Sequence, residues 1–171
     1  MSDILNKIQS KIGSKILKDY DMRRSTWFRA GGIAKGYVIV NNISDLKTII
    51  SFADHIRYYI VGVGSNLMVR DQGFDGLILK LGRNFNNIKI KNNTLSVGAA
   101  VLDINLAKFA TNNSIKGFEF FTGIPGTIGG AVKMNAGCYG FQTADNLKKI
   151  LAINRFGKIK YLSIEELKLE Y

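Results

Sequence analysis

The residues of this chain best suited to chemistry are clustered glycines with hydroxyl and amide side chains beside them, a pattern for holding a ligand. The first cluster is Val61–Val69, VGVGSNLMV, at the end of an apolar stretch. Gly62 and Gly64 permit positive φ and close backbone approach, so successive N–H groups can converge on an anion. Ser65 and Asn66 add side-chain donors of the length that reaches phosphate oxygens. A diphosphate suits that nest. It is not a P-loop, because no Gly-Lys-Ser/Thr triplet follows, nor a Rossmann fingerprint, because Leu67 stands where a third glycine is required. An ordinary turn between strands is the other reading of the same residues.

The second cluster is residues 120–140, FFTGIPGTIGGAVKMNAGCYG. Its glycines, from Gly123 and Gly126 through Gly129, Gly130 and Gly137 to Gly140, leave little bulk to fill a core. Pro125, the single proline, fixes the backbone where the segment turns. Such small residues over such a length suit main chain packed against a flat ligand or another backbone. A flexible loop is the alternative, but Ile124, Ile128, Val132 and Met134 are too apolar for a solvated linker.

The elements that must position these clusters follow from periodicity. Ser2 and Asp3 read as helix caps, and Ile4, Ile8, Ile12 and Ile16 recur every four residues, so a helix is expected over residues 1–20, weakened at Gly13. Residues 36–40, 57–63, 77–81, 88–91 and 94–98 read as strands, with Asn92-Asn93 as a hairpin turn. Helices are expected from Ser44 through Asp54 and over Leu102–Asn112. A hairpin is expected around Phe156-Gly157, and Ser163–Glu166 is a capping-box pattern opening a last helix. Strands and helices mingle without regular βαβ spacing, so the class is α+β.

Composition narrows the function. The chain has 171 residues, of which 46% are hydrophobic, enough for one domain or two small lobes. No apolar run reaches membrane-span length, and lysines interrupt every candidate signal peptide near the N-terminus. Cys138 and His55 each stand alone, so a metal cluster, a disulfide and a histidine-based triad are not expected, and a cytoplasmic location is. The net charge of +11 attracts polyanions of any kind. The basic residues are scattered, however, without an arginine-rich arm or RNA-recognition signature, so neither nucleic acid nor membrane is an expected partner.

Together, GVGSN at 62–66 and GIPGTIGGAVKMNAGCYG at 123–140 resemble the UDP-N-acetylenolpyruvoylglucosamine reductase family, also called UDP-N-acetylmuramate dehydrogenases. STWFRAGG at 25–32 looks like that family's N-terminal segment, and Gly117-Phe118-Glu119 precedes the second motif as in the family. The resemblance runs from Ser25 to Tyr171. It implies an FAD-binding domain over residues 21–171, of the vanillyl-alcohol-oxidase (PCMH) type, with two α+β lobes clasping the cofactor. By the same resemblance Gly62, Val63, Gly64, Ser65, Asn66 and Leu67 hold the FAD diphosphate. Thr122, Gly123, Ile124, Pro125, Gly126, Gly129, Gly130, Asn135, Ala136 and Gly137 line the flavin and the rest of the dinucleotide. Cys138, where the family more often carries a small residue, is expected as a buried thiol without a covalent flavin link.

For the intact enzyme the resemblance implies that NADPH reduces FAD and that the UDP-sugar's enolpyruvyl group is reduced in turn, a step of peptidoglycan synthesis. A monomer is expected. Tyr171 matches the first residue of the family's Tyr-Arg pair, and the arginine, a proton-donating serine and a late glutamate belong beyond it. The C-terminal substrate domain is therefore expected to be absent, this portion alone to be inactive, and no catalytic residue is assigned within the chain. Another flavin oxidoreductase of the same fold is the nearest alternative, and a basic nucleic-acid-binding module the more distant one.

Overall fold

Ile12 and Ile16 carry helical spacing yet leave the helix. In the computed structural model, which describes residues 1–169, α1 spans only Ser2–Gln9, and Ile16–Asp21 is a strand, β1. The helix expected over residues 1–20 is stopped by tertiary partners. The buried Asp45 carboxylate accepts the Gly13 N–H at 3.3 Å and the Ser14 N–H at 2.7 Å, while the Gln9 side chain accepts the Ile16 N–H at 2.7 Å. Burial alone raises the Asp45 carboxyl, but the Ser14 and Gly13 bonds outweigh it and hold the group below its ordinary value. Ile12 and Ile16 are still buried, so the spacing marked a core face correctly and the helix wrongly. Ser2 and Asp3 do not cap α1 either. Met1 is its N-cap residue, with no side-chain bond.

Two units form, each with its own core. The first comprises Met1–Gly82 and Ile153–Ile159. After β1 come β2 (Ile33–Val40), α2 (Ile43–Ile50), β3 (Tyr58–Val61) and β4 (Phe74–Leu81). The sheet order is β1-β2-β4-β3, with β1 antiparallel to β2 and both β2 and β3 parallel to β4. Leu77, Ile78 and Leu79 on the central β4 are all buried, as expected for a strand covered on both faces. Asn42, not Ser44, caps α2, accepting the Asp45 N–H at 2.7 Å.

The second unit comprises Arg83–Ala152 with the described residues from Lys160 onward. It holds the hairpin β5 (Ile88–Lys91) and β6 (Thr94–Val97), then α3 (Asp103–Asn112). Asn92 and Asn93 both take positive φ, 47° and 57°, the turn their sequence predicted. A 3-10 turn at Glu119–Gly123 leads to α4 (Ile128–Met134), β7 (Gly137–Cys138), β8 (Phe141–Gln142) and α5 (Thr143–Asn146). Val101, Leu106, Ala107, Phe120, Phe121 and Ala131 form its core, with the Phe120 and Phe121 rings 4.1 Å apart. Strands β9 (Lys149–Ile153) and β10 (Ile159–Ser163) pair in a two-stranded sheet whose turn belongs to the first unit, followed by α6 (Ile164–Leu167). Ser163 and Glu166 make the expected capping box. Tyr171 lies outside the described residues.

Candidate functional site

In the first unit, β3 ends at the buried Val61 and the chain turns into the glycine cluster. Gly64 takes φ +73°, and a β-carbon there would sit 2.0 Å from the Ser25 carbonyl oxygen. The Trp27 N–H donates to the Gly64 carbonyl at 3.0 Å, tying the loop to Ser25–Trp27. Among the described residues, the N–H groups of Val63, Gly64, Ser65 and Asn66 find no acceptor, nor do the side chains of Ser65 and Asn66 find a partner. Consecutive free amides on a left-handed glycine turn are what an anion nest requires. Leu67 has a different part: its side chain packs beside Met22, Ala34, Tyr37, Val61 and Ile78, anchoring the loop to the core.

The second unit answers differently. Its cluster is no solvated loop, because α4 occupies the middle of it. The first amides of α4 are already committed: Ile128 N–H to the Val101 carbonyl and Gly129 N–H to the Ala99 carbonyl, each at 2.9 Å, and Gly130 N–H to Thr127 Oγ1 at 3.4 Å. A helix start with its donors used in this way offers little to a phosphate. What the glycines of the segment offer is close packing against the rest of the chain. At Gly123 a β-carbon would meet Cys138 Sγ at 2.5 Å and at Gly126 it would meet Asp103 Oδ2 at 2.6 Å, while the exposed Gly130 has only Thr127 Oγ1 near it, at 3.5 Å. Cys138 is half-buried, its thiol packed over Gly123. Thr122 Oγ1 donates to the Glu119 carbonyl at 2.7 Å, Ile124 packs on the core, and Pro125 is exposed on a trans peptide bond.

Asn135 closes α4 in the left-handed conformation, φ 43°, and is 3% exposed. Its Nδ2 donates to Gln142 Oε1 and its Oδ1 accepts the Ala144 N–H, both at 2.9 Å. The Ala136 carbonyl accepts from Thr143 N–H and Oγ1, and Gly137 pairs with Gln142 across β7 and β8. These residues shape the wall rather than point donors out of it. Asn135→Ala is expected to destabilise the chain by about 2–3 kcal/mol, from two buried hydrogen bonds and a left-handed backbone that alanine disfavours. Asn135→Gly keeps the backbone and should cost visibly less in urea unfolding. Equal losses for the two would show that the side-chain bonds alone matter.

Beside these residues lie a concavity, of whose lining the sequence marked Thr122 for the site, and a buried acid that it did not mark. Glu119, Phe120, Thr122, Tyr139 and Phe141, with Gly117, line a concavity of about 280 Å³, and only the fold brings β7 and β8 to the Glu119 turn. Asp103 is 0% exposed, lies behind Gly126 and has neither carboxylate oxygen hydrogen-bonded among the described residues. Burial pushes its carboxyl up to about 7. In the sequence it reads only as an acid in a helix's first turn.

A family model described as an FAD binding domain matches residues 34–163. The UDP-N-acetylenolpyruvoylglucosamine reductase of Pelagibacter ubique is 45% identical over 157 residues, covering 91% of this chain and 52% of that protein. The reductase of that name from Caulobacter vibrioides is 42% identical over 159 residues, 92% of this chain and 53% of the relative. The chain thus spans about half the length of the curated relatives it matches. Among solved structures, the UDP-N-acetylenolpyruvylglucosamine reductase of Thermus caldophilus superposes with a TM-score of 0.77 at 30% identity, over 92% of this chain and 55% of that one. The 6-hydroxy-D-nicotine oxidase of Arthrobacter nicotinovorans, at 19% identity over 91% of this chain and 37% of its own, shares the fold with a TM-score of 0.66. The α+β architecture of the vanillyl-alcohol-oxidase type is therefore the one adopted.

Proposed function

The chain belongs to the FAD binding domain family, and from that premise we propose that it is the FAD-holding portion of a UDP-N-acetylenolpyruvoylglucosamine reductase, an oxidoreductase of peptidoglycan synthesis. The observation that carries the cofactor is the run of free N–H groups from Val63 to Asn66 on the Gly64 turn. Consecutive unpaired amides on a left-handed turn suit the diphosphate of a dinucleotide. Ser65 and Asn66 add the side-chain donors. In the second unit the closely packed, glycine-rich stretch at Thr122–Gly126, Gly129 and Gly130 suits the edge of a flat ring system, and Asn135–Gly137 hold it in shape.

FAD, when bound, supplies the hydride chemistry, with NADPH as the donor and the enolpyruvyl group of the UDP-sugar as the acceptor. The chain's own residues bind and orient. Leu67 fixes the nest to the core, and the bonded amides at the start of α4 hold the glycine segment in place. The net charge of +11 favours approach of polyanionic substrates. A cytoplasmic location is part of the same reading, supported by a single cysteine.

The test is the visible absorption of the purified, desalted chain. Flavin bands, released as FAD on denaturation, are the expected result. A colourless protein that takes up no added FAD would sink the cofactor reading.

A further inference from the structure

Backbone from another segment stands against the Gly64 turn. Gly64 has no room on its inner side: the Ser25 carbonyl oxygen and Thr26 Cα lie 2.0 and 3.1 Å from where a β-carbon would be. With the Trp27 N–H donating to the Gly64 carbonyl at 3.0 Å, the Ser25–Trp27 backbone forms the rear wall of the loop. That wall is itself pinned. Ser25 N–H donates to the Met22 carbonyl at 2.9 Å, and Thr26 Oγ1 donates to the Ala30 carbonyl at 2.9 Å. Ser25 Oγ lies 3.0 Å from the Tyr20 hydroxyl, whose ring stacks on Tyr37 with centroids 4.1 Å apart. Tyr37 is 3% exposed and belongs to the core that also receives Leu67. A chain of contacts therefore runs from the sheet core through Tyr37, Tyr20 and Ser25 to the α-carbon of Gly64.

We propose that Ser25 is a positioning residue for the cofactor: its hydroxyl, held by Tyr20, fixes the backbone against which Gly64 rests and so aims the Val63–Asn66 N–H groups at a diphosphate. The inference rests on the FAD reading above, and it adds a residue that acts through Gly64. Donor amides bind an anion well only when already aimed, because hydrogen bonds weaken steeply with misalignment and ordering a loose loop subtracts from affinity. Loss of one such restraint is expected to weaken binding by about tenfold.

The experiment titrates the purified chain with FAD for Ser25→Ala, Tyr20→Phe, the double variant and Ser25→Thr. Ser25→Ala and the double variant are expected to weaken FAD binding by a similar factor, Tyr20→Phe by less because the Tyr37 hydroxyl also bonds the Ser25 side chain, and Ser25→Thr, which keeps the hydroxyl, to restore it. Val38→Ala, in the fully buried part of β2, controls for stability and is expected to lower the melting temperature at unchanged affinity. Parent-like FAD affinity in Ser25→Ala, or additive losses in the double variant, overturns the proposal. If the parent takes up no FAD but binds inorganic pyrophosphate, the flavin reading fails and the same variants decide the positioning role on that ligand. A parent that binds neither overturns both.

Discussion

Replacing Gly64 with alanine is expected to abolish FAD binding and to destabilise the first unit by about 3 kcal/mol or more. Two effects combine. The residue holds φ +73°, where a β-carbon carries a penalty of about 1–2 kcal/mol. The added methyl would also lie 2.0 Å from the Ser25 carbonyl oxygen, a backbone atom that cannot rotate away. The loop or its rear wall must move, and either movement displaces the Val63–Asn66 amides. Gly140→Ala is the matched control: φ there is +80°, yet nothing lies within 4 Å of the new atom, so only the backbone penalty applies. Flavin absorption after desalting reads the binding, and urea unfolding the stability. A Gly64→Ala chain that retained FAD as the parent does would show that the nest is not the diphosphate site.

Asp103→Asn is expected to stabilise the chain, and by more as the pH rises. The Asp103 carboxyl, raised by burial from 3.8 to about 7, is 0% exposed, and neither oxygen is hydrogen-bonded among the described residues. Below its unfolded value the group is protonated in both states and costs nothing extra. Between that value and its folded one the unfolded chain has released the proton while the folded chain still holds it, so stability falls with pH. Above about 7 both states are ionised and the loss is complete, amounting to about 4 kcal/mol from the displacement between 3.8 and 7. Asparagine has the same shape and no proton to lose. The stability difference between variant and parent should grow from near zero at acid pH to its plateau above neutrality. Taking the difference cancels carboxyls held low, such as Asp45, whose contribution runs the opposite way and is lost on acidification. A flat difference would mean that Asp103 finds a partner in solution.

The legible parts of this chain were those whose physics is local. Asn92-Asn93 selects its hairpin because both residues tolerate positive φ, and Ser163–Glu166 caps its helix within one turn. The α3 helix from Asp103 to Asn112 followed from spacing alone to within a residue. Other parts misled because distant partners override local preference. Ile12 and Ile16 kept helical spacing, but Asp45 and Gln9 captured the intervening amides and sent the chain into β1. α4 was obscured because Gly129 and Gly130 are poor helix formers, and its start is held by the carbonyls of Val101 and Ala99 and by Thr127.

The candidate site divides along the same line. The sequence alone placed a glycine turn at residues 62–64 and a glycine-rich segment at 122–137, and it left their roles as an anion nest and a ligand wall as expectations. A glycine's backbone freedom and missing bulk are properties of the residue wherever it lies. Which amides stay unpaired among the described residues depends on the folded chain. Those of Val63–Asn66 meet no acceptor among the described residues although Trp27 bonds the Gly64 carbonyl, whereas those of Ile128 and Gly129 are taken by carbonyls from a segment far back in the chain. Hydrogen-bond partners are assigned by proximity in space, and one-dimensional spacing does not encode that.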